Sequence, residues 1–389
     1  MAQTNVTQEW VRPYNGTAGG GDGASGIVTD GQNNVIICGT SEGIGTGYDI
    51  IVVKYDGAGN IIYEVRYNDT ISNGDDRAAK IAADEQDNVY VCGSTVTASG
   101  NDDFITIKID PQGNILWIST YDNGGNDNGM ALAVTAAGVV VAGDSEGDTT
   151  GSDIALVQYD ASGTQQWISR YDGSGGDDNV AAVAVDGAGN IFISGMAEFL
   201  STHMDYVTLK YDASGNELWM NFFNGADNGY DRATALALDT AGNPVVTGYS
   251  FTATSGMNMV TIKYDASSGA TLWVSEYNGP ANVDDGGFAI ACDKSGNTIV
   301  TGFNFTLIYL YHDFVTIKYN FYGDSLWIRR YNGAGNSNDL ALAMALDDSD
   351  NVYVTGYNFT LVAHDYATIK YTPDGTQQWV MNYDGGGRR

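Results

Sequence analysis

Ala233-Thr-Ala-Leu-Ala-Leu-Asp239, Pro244-Val-Val-Thr-Gly248, Met259-Val-Thr-Ile-Lys-Tyr264 and Thr271-Leu-Trp-Val-Ser-Glu-Tyr277 follow one another in a single stretch of the chain. Each alternates or runs apolar over strand length, and each is bounded by turn residues. They are strands a, b, c and d of one unit. The turn Thr240-Ala-Gly-Asn243 joins a to b, a longer loop joins b to c, and Asp265 to Gly269 joins c to d. The short turns recur as Asp-x-x-Gly-Asn (Asp56 to Asn60, Asp186 to Asn190, Asp212 to Asn216). That pattern suits a type I turn closed by a left-handed glycine, which ties adjacent antiparallel strands into an up-and-down meander. In strand a, Leu236 and Leu238 oppose Ala235 and Ala237. A sheet that is apolar on both faces must be sandwiched by neighbours.

Outward from this unit, the tryptophan of strand d is a ruler. Trp10, Trp117, Trp167, Trp219, Trp273, Trp327 and Trp379 recur, and Tyr63 fills the one gap. The spacing stays close to that of a four-stranded propeller blade throughout. The expected fold is therefore all-β, a seven-bladed β-propeller of four-stranded antiparallel blades, spanning residues 9–384 as one domain with flexible termini at 1–8 and 385–389. Strands a, b and c occur seven times, but strand d occurs eight times, at Trp10 to Tyr14 and again at Trp379 to Tyr383. Pro13 suits an edge strand, so the N-terminal copy is expected to complete the last blade and the C-terminal copy to be displaced.

The motif Ala-x-Ala-x-Asp, then Asn-Val-Tyr-Val-Thr-Gly, then Asp-Tyr-x-Thr-Ile-Lys-Tyr, then the tryptophan, stands at Ala343 to Asp347, Asn351 to Gly356, Asp365 to Tyr371 and Gln378-Trp379. It resembles the bacterial and archaeal seven-bladed β-propeller repeat family, abbreviated SBBP. The resemblance runs over nearly the whole chain. It implies the propeller fold and almost nothing about activity, because such repeats occur mostly in large secreted or surface proteins of unassigned function.

Composition narrows the partners. Net charge is −31, with 17 basic residues against 48 acidic ones, which argues against nucleic acid and against anionic membranes. No apolar run approaches the ~20 residues of a membrane span. Low lysine with abundant Asn, Gly, Thr and Tyr fits a secreted or cell-surface protein. Cys38, Cys92 and Cys292 form no metal spacing, and the first two share a repeat position with small residues, so inert, unbridged thiols are expected.

In a meander the a–b and c–d turns lie on one face and the b–c and d–a loops on the other, and the second face carries every variable loop. Each d–a loop ends in an acid: Asp22, Asp76, Asp127, Asp178, Asp231, Asp285 and Asp339. A ring of acids can hold a cation, but an acid required in every blade reads as structural. Strand c carries a repeated lysine at Lys54, Lys108, Lys210, Lys263, Lys318 and Lys370, with Gln158 in blade three. A buried lysine needs an acidic or carbonyl partner. The loop acid and the acid opening strand c (Asp49, Asp103, Asp153, Asp205, Asp313, Asp365) are the expected partners.

The b–c segments break the symmetry. They are small and polar in the first three blades and apolar or aromatic from blade four onward, which points to a contact surface. The candidate ligand-face residues are Phe251, Phe305, Tyr309, Tyr311, His312, Phe359 and His364. No catalytic residue, metal or cofactor is expected. Matching histidines in adjacent blades lie too far apart to share a zinc ion. The expected function is a non-catalytic, extracytoplasmic, monomeric scaffold binding a protein or glycan. The alternatives are a carbohydrate-active enzyme using acids of the loop face, and a building block that assembles through its spare outer strand.

Overall fold

The computed structural model describes residues 6–147, 151–199, 203–306, 311–333, 335–359 and 364–385. It holds 28 strands in seven four-stranded sheets, and the described residues contain no helix. Within each sheet the strands pair antiparallel with their neighbours in sequence. This is a seven-bladed β-propeller. Each blade opens on the repeated acid: strand a begins at Asp22, Asp76, Asp127, Asp178, Asp231, Asp285 and Asp339. The chain divides into two compact units, one built from residues 8–193 and 211–218, the other from 194–210 and 219–389.

Strands b and c form the interior of each blade. In blade five, strand c (Gly256–Tyr264) is buried at every position from Asn258 on, as an apolar run packed on both faces must be. The glycine that ends the b motif has a specific cause. Strand a bulges opposite it, as between Ala233 and Ala235 or Gly287 and Ala289. The bulge drives a backbone carbonyl into the space a side chain would take. A Cβ at Gly248 would lie 2.0 Å from the Arg232 carbonyl oxygen, and one at Gly302 would lie 1.9 Å from that of Gly286.

The recurrent tryptophan acts between blades. The Trp117 indole lies flat on Gly163 in the c–d turn of the next blade, where an added Cβ would come within 2.6 Å of the ring. Its N–H donates to the Ala161 carbonyl at 3.1 Å. Trp167 on Gly215, Trp219 on Gly269, Trp273 on Gly323 and Trp327 on Gly375 repeat the arrangement. A flat ring close to backbone explains why the turn ends in a glycine, which also has positive φ (84° at Gly163).

The terminal copies differ from expectation. The C-terminal copy is strand d of blade seven (Gln377–Tyr383), paired with strand c so that Lys370 faces Trp379. The short turn after Tyr371 makes this pairing cheap in loop entropy. The N-terminal copy forms no strand, yet it is held on blade one as the strand-d tryptophans of blades two to six are held on their successors. Trp10 Nε1–H donates to Gly57 O at 3.1 Å, Arg12 Nε–H donates to Gly59 O at 2.7 Å, and the indole stacks on Tyr55 at 6.0 Å. Trp327 and Arg329 make the same two bonds to Pro373 and Gly375. Deleting residues 377–389 removes a paired strand, whereas deleting 1–15 removes only a surface clasp. Calorimetry is expected to show the larger fall in unfolding temperature for the C-terminal deletion; the opposite ranking would make the N-terminal copy the essential one.

Candidate functional site

The repeated charges sort into three separate devices. The loop acid caps its own d–a loop by accepting a backbone N–H: Gly16 to Asp22 at 3.0 Å, Asp69 to Asp76 at 2.9 Å, Asn123 to Asp127 at 2.7 Å, Gly173 to Asp178 at 2.6 Å, and Gly225, Gly279 and Gly333 to Asp231, Asp285 and Asp339 at 2.5 Å. It does not meet the lysine. The expected pairing of Lys54, Lys108, Lys263, Lys318 and Lys370 with the loop acid or the acid opening strand c is corrected by the geometry. Their ammonium groups lie instead by Asp30, Asp84, Asp239, Asp293 and Asp347, the acids that directly follow strand a, at 2.8, 3.6, 2.6, 2.8 and 3.6 Å. The reason is distance along the blade: the lysine sits at the turn end of strand c, level with the a–b turn, while the loop acid sits at the opposite end. Lys54, Lys210 and Lys318 also donate to carbonyls of Pro111, Ala266 and Pro373 in the next blade's c–d turn. The acids opening strand c form the third device, with Arg66 at 2.7 Å from Asp49 and Arg170 at 2.8 Å from Asp153.

These acids set a pH dependence. Burial pushes Asp76, Asp285, Asp313 and Asp339 up to about 6, with Arg330 opposing the shift at Asp285 and Asp313. A raised carboxylate binds its proton more tightly when folded, so its stabilising contribution is present below the ordinary value and lost as pH rises through about 6. Asp30 is held down at about 2, against the effect of burial, by Lys54, Asn34 and two backbone N–H groups. Its contribution is present above the ordinary range and lost as pH falls toward about 2. Thermal unfolding is therefore expected at higher temperature near pH 5 than near pH 7, and at lower temperature again below about pH 4. A midpoint that does not rise between about pH 7 and about pH 5 would contradict the burial of these acids.

The free thiols Cys38 and Cys92 are buried, and Cys292 is partly buried. Burial raises Cys38 to about 11 and Cys292 to about 12, so none carries appreciable thiolate near neutrality.

The symmetry-breaking aromatics occupy strands where loops were expected. In blade five, strand b runs Pro244–Thr252, so Phe251 pairs with Met257 and the connection shrinks to Ala253–Ser255. Phe305 lies in strand b of blade six (Thr298–Thr306), and Tyr311 and His312 open its strand c (Tyr311–Tyr319). Phe359 ends strand b of blade seven (Val352–Phe359), and His364 opens its strand c (His364–Tyr371). Tyr309 falls outside the described residues. Among the described residues these aromatics continue the strands past the sheet body.

Three of the expected residues meet in one open groove of about 560 Å³ in the second unit, lined by Tyr311, His312, Ser337, Asn338, Leu340, Tyr357 and Phe359. His312 is set by its surroundings. Its backbone N–H donates to Asn338 Oδ1 at 3.2 Å, and its Nδ1 lies 3.1 Å from the same oxygen. Its ring meets Phe303 and Phe305 edge-on at 4.9 and 5.3 Å. Tyr311 is 39% exposed. Phe251, itself 41% exposed, is not among the groove's lining residues. Ser337, Asn338, Leu340 and Tyr357 were not anticipated, because each stands in the strand or loop body of a repeat whose other copies serve packing. Their one signal was proximity to the aromatic hairpins.

No family model matches the chain, and no curated protein matches it. Solved structures do. The chain is similar to Sqt1 from Chaetomium thermophilum (10% identity, covering 94% of this chain and 88% of that one, TM-score 0.57). It is also similar to a quinohemoprotein alcohol dehydrogenase from Comamonas testosteroni (13% identity, 93% and 67%, TM-score 0.57). At such identities the likeness is one of fold, and fold alone assigns no activity.

Proposed function

We propose that the chain is a non-catalytic, extracytoplasmic binding scaffold of the SBBP repeat type, with the groove around Tyr311, His312 and Phe359 as its ligand site and a neutral glycan as its ligand. The observation that carries this reading is the groove's composition. Aromatic faces stand beside one amide, one imidazole and the hydroxyls of Ser337, Tyr311 and Tyr357, a set suited to stacking on sugar rings while hydrogen-bonding their hydroxyls. Among the described residues no carboxylate lines it. Glycoside hydrolysis ordinarily uses two carboxylates flanking the scissile bond, so the composition favours binding over turnover. The net charge of −31 disfavours anionic ligands.

Screening the protein on a glycan array, beside Tyr311→Ala and Phe359→Ala, tests the reading. A neutral-glycan hit weakened at least ~10-fold in both variants is expected, since each removes an aromatic contact. Equal binding by all three proteins, or binding of acidic glycans only, would overturn it.

A further inference from the structure

The junction of blades two and three combines a strand d without arginine and an acid directly after that strand. Three residues after the strand-d aromatic, blades one, three and six carry Arg66, Arg170 and Arg330; blade two carries Thr120, and blades four, five and seven carry Phe222, Glu276 and Asn382. Immediately after strand d, blades one, four, five and six carry Asn68, Asn224, Asn278 and Asn332, and blades two, three and seven carry Asp122, Asp172 and Asp384. Relative to blade one, blade two has lost a positive charge and gained a negative one. As a result Asp103, Asp122 and Asp127 bring carboxylate oxygens within 4.8 Å of one another. None of the ion pairs among the described residues includes them. Arg170, whose charge is felt at Asp127, is committed to Asp153 at 2.8 Å.

A second observation points into the same place. Asp103 is 4% exposed and Asp127 fully buried; Oδ1 of each is buried and outside normal hydrogen-bond distance of a donor, as in Asp49, Asp231, Asp285 and Asp339, and the Thr97 and Ser145 hydroxyls partly stabilise the two carboxylates. The other oxygen of Asp127 accepts the Asn123 N–H at 2.7 Å, and Asp122, at the surface, accepts the Gly124 N–H at 2.6 Å. Unpaired buried carboxylate is costly. Burial, with Asp122 and Asp127 adding to it, pushes Asp103 up to about 6. Blade three supplies the internal comparison. Asp153, Asp172 and Asp178 form the same triangle there, and Arg170 pairs with its Asp153 at 2.8 Å.

We propose that Asp103, Asp122 and Asp127 form a calcium site that does for blade two what the guanidinium does for blades one and three. Oxygens around one calcium ion lie up to about twice the ~2.3–2.6 Å metal–oxygen distance apart, which matches the span of the triangle. An all-carboxylate set without histidine or cysteine selects a hard cation over zinc or copper. The exposed side at Asp122 leaves room for the waters that complete calcium's coordination shell.

The test is calorimetric titration of chelator-treated protein with calcium chloride, together with its unfolding temperature with and without calcium. Wild type is expected to bind one equivalent and to unfold at higher temperature with it. Thr120→Arg installs the residue of blades one and three, and is expected to abolish binding while folding normally. Asp122→Asn installs the residue of four other blades, and is expected to weaken binding at least ~10-fold. It keeps the test decisive should Thr120→Arg fold poorly. Absence of calcium binding by wild type, or binding unchanged in either folded variant, would overturn the proposal.

Discussion

Gly302→Ala is expected to prevent accumulation of folded protein, while Gly57→Ala is expected to leave stability almost untouched. The two substitutions add the same methyl group. At Gly302 that methyl would sit 1.9 Å from the Gly286 carbonyl oxygen, a backbone atom fixed by the strand-a bulge and unable to retreat without breaking the a–b ladder. Strain of this kind exceeds the ~1–3 kcal/mol of ordinary overpacking. At Gly57 an added Cβ meets nothing within 4 Å, and loss of glycine's freedom in the unfolded chain offsets any small cost. Soluble yield and thermal unfolding of the two variants check this. A folded Gly302→Ala protein with wild-type stability would mean that the bulge is not the reason for the glycine.

The second large effect is expected at Lys263. Its side chain is 0% exposed, its ammonium stands 2.6 Å from Asp239, and it lies 3.8 Å over the Phe321 ring. Lys263→Met leaves the Asp239 carboxylate buried without its counter-charge, which costs about 3–5 kcal/mol. Adding Asp239→Asn should recover most of that loss, because the turn-capping work of Asp239 needs only an acceptor oxygen. Asn320 does that work in its own turn, accepting the Tyr322 and Asp324 N–H groups at 2.9 and 3.0 Å. Denaturant unfolding of the single and double variants measures the recovery. A single variant as stable as wild type would show that the pair contributes nothing net.

Both effects mark where the chain was legible. Strand identity, blade number and the need to bury Lys263 follow from periodicity and from the cost of an unpaired ammonium, and both are properties of a repeat. Which acid Lys263 meets was not legible. Asp231 and Asp239 are both repeated, and only the antiparallel register, with Lys263 opposite Val245 near the a–b turn, decides between them. The tryptophans served as a ruler, but their hold on the next blade's glycine turn is a contact between units that periodicity cannot show. The apolar hairpin tips were visible as departures from the repeat. Their partners Ser337, Asn338 and Leu340 were hidden, because they come from the next blade's d–a loop and strand a.

The most direct test is a crystal structure of the protein with the strongest neutral glycan from the array. Intact glycan is expected in the groove, stacked on Tyr311 or Phe359 and hydrogen-bonded to Asn338. Glycan bound instead over the a–b turns near Asp84 and Asp186, or found cleaved, would contradict a non-catalytic scaffold that binds through its aromatic hairpins.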